Sequence, residues 1–403
     1  LPPHGVIISH KPGHMEVINW LCSTIEGTEV NTCDPEGGVI GRNPDTHEPN
    51  GYLEEVAFTM ASSKIPSPSL EEQLHRLKEA EKIYLQNGIT TAQDGVTKEF
   101  GLTQLIKMSE QDQLTLDVVG YLDIHFPQLC EIGKEYIKHY HNHFKIGGYK
   151  TFLDGSPQGR TAWMSIPYQN DSDYCGYPVL TDEELMREMK QAIEEEMQIL
   201  IHCNGDAACE QMIRCYQQVT EELEVNPRSY RPVMIHAQLV RKDQLKRMKE
   251  LGIIPSFFVS HTYYWGDVHI QNFGLDLASS ISPARSACEL NLPFTFHQDT
   301  PVILPDMLET IWCAVNRTTK EGVVLGEEER ITPLEALKAV TIHAAYQYFE
   351  EMKKGAIKVG KDADFVILDQ NPLVIDPSAI RTIQVLETIK KGVTVYAREV
   401  SIH

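Results

Sequence analysis

Short apolar runs recur along this chain, separated by longer stretches whose apolar residues return at helical spacing. The runs are Ile89 to Ala92, Leu116 to Leu122, Gly147 to Leu153, Gln198 to Ile201, Pro232 to Ile235, Ile253 to Val259 and Phe294 to Phe296. Continuous runs of this length predict short strands with little exposed face. Most of the stretches between them, such as Thr181 to Met197 and Asp206 to Glu224, predict amphipathic helices. Strand and helix in alternation imply a parallel sheet, and seven strands with this rhythm imply an α/β fold of the TIM-barrel type. An open doubly wound sheet is the structural alternative, but no glycine-rich dinucleotide fingerprint follows an early strand.

The two ends have a different texture. Ser67-Pro68-Ser69 is expected to cap a helix running to about Gln86, with Leu74, Leu77 and Ile83 at helical spacing. Before it, the first sixty-odd residues look irregular and rich in turn formers, so 1–66 is expected to be a lid-like excursion of a barrel spanning 1–353. A helical pattern resumes from Pro333 to Tyr348. Gly355 to Asp369 then predicts a turn and a strand, and Val385 to Tyr396 a hairpin turning at Lys391-Gly392. Residues 354–403 are therefore expected to form strands of a small β-layer.

Composition narrows the function. A length of 403 residues suits one large barrel with a small extra module, and 42% hydrophobic content suits a globular core. The net charge of -21 repels phosphate backbones, so no nucleic-acid partner is expected. No run approaches the ~20 apolar residues of a membrane span, and no signal peptide is visible. Nine scattered cysteines without a CxxC pair read as reduced thiols, giving a cytoplasmic expectation with no membrane partner. Cys203 adjoins His202, but neighbours on a strand face opposite ways.

Four residues at or just past the ends of these runs carry the chemistry: Lys150, His202, His236 and Asp299. Lysine at a strand end is an ordinary snorkelling side chain; in a barrel mouth its neutral amine can also add carbon dioxide and become a bridging carbamate. Each histidine alone would be a core residue, yet two in equivalent positions suggest zinc ligation. Asp299 before Thr300-Pro301 suits a turn; it equally suits a ligand that takes a proton from metal-activated water. Around the presumed mouth lie Arg160, Trp163, His261 and Tyr264, as pocket wall or as ordinary loop packing.

The segments Tyr149-Lys-Thr-Phe-Leu-Asp-Gly-Ser156, Ile201-His-Cys-Asn-Gly-Asp-Ala-Ala208, Val233-Met-Ile-His-Ala-Gln238, His297-Gln-Asp-Thr-Pro301 and Gly360-Lys-Asp-Ala-Asp-Phe-Val-Ile-Leu-Asp369 resemble the amidohydrolase superfamily. The branch is the amidohydrolase-3 type that includes N-substituted formamide deformylases. The resemblance implies a distorted TIM barrel with a small β-sandwich, and hydrolysis of a non-peptide, amide-like C–N bond by metal-activated water. It implies Lys150 as a carboxylated bridging ligand, His202 and His236 as metal ligands, and Asp299 as ligand and proton shuttle. One or two divalent ions, zinc first, are the expected cofactor, a small molecule the substrate, and a homodimer the assembly. His14, Arg160, Trp163 and Tyr264 are the candidate substrate contacts.

One family feature has no counterpart. A His-x-His pair normally ends the first barrel strand, and here the chain opens Leu-Pro-Pro-His, without an initiator methionine. The expectation is that a preceding N-terminal segment carries that pair, or that the protein is shortened. His139-Tyr-His141-Asn-His143 precedes the lysine strand and is expected to be a helix end and loop; His10 and His14 are not read as replacements. The alternative function is thus a catalytically impaired or inactive binding protein of the same fold that lacks the buried metal site. An isomerase or deaminase is a third reading.

Overall fold

The computed structural model describes residues 7–9, 15–18, 32–35, 38–55, 57, 60, 69–169, 171 and 173–399. The chain divides into two compact units, one of residues 1–73 with 300–304 and one of 74–299 with 305–403.

In the smaller unit, β1 (Ile7–Ser9), β2 (Met15–Ile18), β3 (Gly38–Arg42) and β4 (Pro49–Glu55) form an antiparallel sheet in the order β1-β2-β4-β3. This corrects the expectation of an irregular first sixty residues. Segments this short carry too little alternation to stand out, and their pairing comes from neighbours, as where Ile40 meets Leu53 and Val17 meets Tyr52.

The larger unit carries the predicted alternation. Seven strands lie parallel and in chain order: β5 (Thr91–Thr97), β6 (Asp117–Asp123), β7 (Phe144–Phe152), β8 (Gln198–Cys203), β9 (Val233–His236), β10 (Ile254–Phe257) and β11 (Thr295–Phe296). Helices connect them, among them Glu99–Glu110, Asp182–Glu194, Asp206–Glu222 and Lys242–Leu251. This is the curled sheet of a distorted TIM-type barrel. Val119, Tyr121, Leu200, Val233, Ile235 and Ile254 form one buried layer on its inner face. Ile199, Ile201, Cys203 and Met234 alternate with them and join the helices' apolar faces. Burial on both faces is why the strands appear in the sequence as unbroken apolar runs. Thr181 and Glu184 cap the helix Asp182–Glu194 reciprocally.

Asp206 opens the helix Asp206–Glu222, and Gly205, not the acidic side chain, holds the N-cap position. The Asp206 carboxylate accepts from Ser165 N at 2.8 Å and pairs with Arg241 at 2.8 Å, so tertiary partners take it from the helix terminus.

At the C-terminus β12 (Phe365–Leu368), β13 (Val385–Lys390) and β14 (Val393–Ala397) pair antiparallel in that order. The hairpin turns at Lys391 and Gly392, with φ of 49° and 80°, the paired left-handed residues that a two-residue hairpin requires. Thr388 bonds Leu85 O at 2.7 Å, and Lys390 reaches Asp117 at the start of β6. Among the described residues no helix is long and apolar enough to cross a membrane. The described cysteines are all free, four of them buried, and Cys22 lies outside the described residues.

Candidate metal centre

Strand register decides which side chains meet. Lys150 pairs with Leu200 and Phe152 with His202 across β7 and β8. Leu200 belongs to the inner layer, and side chains two apart share a face, so Lys150 and His202 both turn inward. Cys203 turns outward to Met212, 3.8 Å away, as its place beside His202 predicts.

A regular pleat would send His236 outward too, because it pairs with Cys203. It does not follow the pleat. His236 has φ of 71° and Ala237 of 45°, left-handed values that cost roughly 1 kcal/mol or more in a residue with a Cβ. The reversal brings the His236 ring to His202, with Nε2 3.1 Å from Nδ1. Asp299, three residues past β11, also has a left-handed φ, 54°.

The histidines form a row of three. His236 Nδ1 lies 3.2 Å from His297 Nε2, and His297 Nδ1 lies 2.9 Å from Ser256 Oγ. At the other end His202 Nε2 lies 3.2 Å from Gly155 O and 2.9 Å from Asn204 Nδ2, and its Nδ1 faces His236. His236, His297 and Asp299 each place one ligand atom within 4.8 Å of the others. His202 joins this cluster through His236.

The histidines are held in their neutral, ligating form. Burial, reinforced by Lys150, pulls His202 down to about 3, and it does the same to His297. Burial likewise keeps His236 well below the ordinary imidazole range. All three rings are therefore neutral donors of lone pairs at any physiological pH. Lys150 is 4% exposed, with no hydrogen bond or ion pair among the described residues, and burial lowers it to about 8 against the pull of Asp299, Cys203 and Asp154. Asp299 is pushed up by burial and drawn back by Lys150.

These residues fit a divalent metal. Zinc–nitrogen bonds of about 2.0–2.1 Å in a tetrahedral site put two ligand nitrogens about 3.3 Å apart. Each histidine gap matches that spacing, 3.2 Å on the Nδ1 side of His236 towards His297 and 3.1 Å on its Nε2 side towards His202, and one ion would take only one of these two nitrogens. Neutral imidazoles beside a carboxylate are also the donor set that zinc takes.

His297 was not singled out from the sequence; its one local signal is the His-x-Asp spacing with Asp299. Asp154 was also passed over. It is buried, accepts N–H bonds from Asn204 (2.9 Å), Gly205 (2.7 Å) and Trp163 (3.0 Å), and lies 3.7 Å from His202 Nε2. Burial outweighs those bonds and pushes its carboxyl up to about 7. It ties the loop after β7 to the loop after β8 and so steadies His202.

The candidate substrate contacts are placed less centrally. Arg160 pairs with Asp171 at 3.5 Å and lies over the Tyr168 ring. Trp163 packs against the core, and the Tyr264 hydroxyl donates to Glu309 at 2.9 Å. His10 and His14 lie outside the described residues. His141 and His143 sit in a turn before β7, at the opposite end of the strands, where His143 Nδ1 meets Asp117 at 2.7 Å.

A model of the amidohydrolase family matches residues 1–396. YtcJ of Bacillus subtilis (strain 168) is 26% identical across 98% of this chain and 75% of its own length. The N-substituted formamide deformylase of Arthrobacter pascens is 25% identical across 96% of this chain and 72% of its own. In fold, an uncharacterized metal-dependent hydrolase from Pyrococcus horikoshii matches with a TM-score of 0.77, at 24% identity, across 93% of this chain and 73% of that one.

Proposed function

The chain belongs to the amidohydrolase family, and on that premise we propose that it is a metal-dependent hydrolase cleaving a non-peptide, amide-like C–N bond of a small molecule with water. One observation carries the reading: neutral His202, His236 and His297 stand in a row at the C-terminal end of the barrel strands, with Asp299 beside them.

His236, His297 and Asp299 would hold the metal, zinc first among candidates, or His236 with His202 through the other nitrogen of the His236 ring, with Lys150 facing Asp299. A divalent metal there supplies Lewis acidity, polarising the scissile carbonyl and making water a stronger nucleophile near neutral pH. The remaining chemistry belongs to the chain. Asp299 takes the proton of the attacking water and passes it to the leaving nitrogen. Asp154 and Gly155 hold His202 in one orientation. Lys150, unpaired and easily neutral, can attack carbon dioxide: the N–C bond forms, one proton leaves, and a carbamate replaces an isolated buried amine. The deformylase relative makes N-substituted formamides a first substrate panel.

The test is hydrolysis of N-substituted formamides and acyl amides by the metal-loaded protein, beside Asp299→Asn. Turnover in the wild type that falls by about 10²–10⁴ in kcat in the variant is expected. Equal turnover in the two proteins would remove Asp299 from the mechanism, and a metal-loaded wild type inert on the whole panel would favour the binding-protein alternative.

A further inference from the structure

A second pair of buried histidines lies one ring away from the metal cluster. Phe258 has its ring centroid 5.3 Å from His297 and 6.2 Å from His236, and on another side 4.6 Å from His261. His261 opens the turn that follows β10, on the same end of the strands as the cluster. Its Nδ1 lies 3.0 Å from Nε2 of His269, and the two rings stack 5.2 Å apart at 5°. Trp265 and Phe273 complete the apolar surround.

The pair constrains its own protons. Burial keeps His269 down at about 3 and His261 well below the ordinary range, so both rings are neutral and share a single proton along their contact. If that proton sat on His261 Nδ1, His269 would have to carry its own on Nδ1. That atom is sealed from solvent and has no partner. A buried N–H without an acceptor is a rare defect, and a stranded lone pair is more easily tolerated. The proton therefore belongs on His269 Nε2, pointing at His261 Nδ1. A neutral His261 then carries its proton on Nε2. That nitrogen has no hydrogen-bond partner among the described residues and, unlike His269 Nδ1, is not sealed.

We propose that His269 is a positioning residue that locks His261 as a neutral Nε2–H donor, and that His261 gives this hydrogen bond to the carbonyl oxygen of the substrate. The second half rests on the hydrolase reading above. A neutral imidazole suits the task, since it donates to an oxygen gaining negative charge without adding a second cation beside the metal. The ring is held before substrate arrives, so no reorganisation is needed as the charge develops.

Two measurements on the metal-loaded full chain decide it. The first is the ¹⁵N spectrum of histidine-labelled protein, with signals assigned through His261→Gln and His269→Phe. The expected result is a His261 with Nε2 protonated and Nδ1 bare between pH 6 and pH 8 (chosen as roughly the range in which an unperturbed histidine titrates), and a mixture of tautomers in His269→Phe. A His261 protonated on Nδ1, or on both nitrogens, overturns the lock. The second is hydrolysis of an N-substituted formamide. His261→Phe should lose about 10²–10³ in kcat with KM and metal content little changed, whereas His261→Gln, which keeps a donor, stays within about tenfold. A His261→Phe enzyme as fast as wild type overturns the donor role. An inert wild type whose spectrum shows Nε2–H would contradict the hydrolase reading while upholding the lock.

Discussion

Lys150 is the residue on which the chemistry turns most sharply. A buried lysine whose amine has no hydrogen bond or ion pair among the described residues, with only the Phe152 ring 4.8 Å away, costs stability in its charged form, and the fold keeps it there. Conversion to a carbamate would replace that liability with an anion facing the cluster. Lys150→Ala should then lose most of its bound metal, and a short carboxylic acid in the buffer should restore part of it. Elemental analysis with and without acetate or propionate reads this; full metal and full activity in the untreated variant would rule the carbamate out. Lys150, His202, His236 and Asp299 could be picked out in the sequence because the two histidines directly follow apolar runs, Lys150 lies inside one and Asp299 stands three residues past one. His297 was less legible, because nothing local separates a ligand from a core histidine. Nor does local sequence assign the partners of Arg160 and Tyr264, which come from Asp171 and from the distant Glu309.

At the scale of elements, the parallel strands were legible because burial on both faces writes itself as an unbroken apolar run. β1 to β4 were not, being short and set among turn formers. The reversal at His236 could not be read either: an ideal pleat predicts the wrong face for it, and only the left-handed backbone corrects this. Register also makes the site vulnerable from a distance. Gly148 sits on β7 beside Gln198, and a Cβ there would lie 1.9 Å from the Gln198 carbonyl oxygen. Backbone cannot yield as a flexible side chain can. Gly148→Ala should push β7 from β8, lowering stability by about 1–3 kcal/mol and bound metal with it, because Lys150 and His202 turn inward from the two strands of that seam. Urea unfolding and elemental analysis on the same preparation check both; a variant with unchanged stability would show that the two strands can part freely.

Across the larger unit, stability and chemistry lie at opposite ends of the strands, as they do in TIM barrels generally. At the N-terminal end Asp117 is buried and meets Lys354 at 2.5 Å, Lys390 at 2.6 Å and His143 at 2.7 Å, which ties β13 to the start of β6. Burial alone would raise its carboxyl, but the His143 bond and the two lysine charges outweigh burial and hold it far below the usual range. A depressed carboxyl contributes stability above the ordinary carboxylate range and loses it as pH falls through the folded value. Asp117→Asn should therefore cost about 3 kcal/mol at neutral pH, by leaving buried lysines undercompensated. The gap to wild type should shrink below about pH 4, and bound metal should not change. Denaturant melts across pH test this, and a gap independent of pH would contradict it. No sequence pattern announced this cluster, whose two lysines lie more than two hundred residues from Asp117 and His143. The central claim is that the histidine row is a metal site. Its most direct test is the metal content of the 403-residue chain after loading with zinc and desalting, set against His236→Ala. About one zinc or more per wild-type chain, lost in the variant, is the predicted result; a wild type that retains no more zinc than His236→Ala would contradict it.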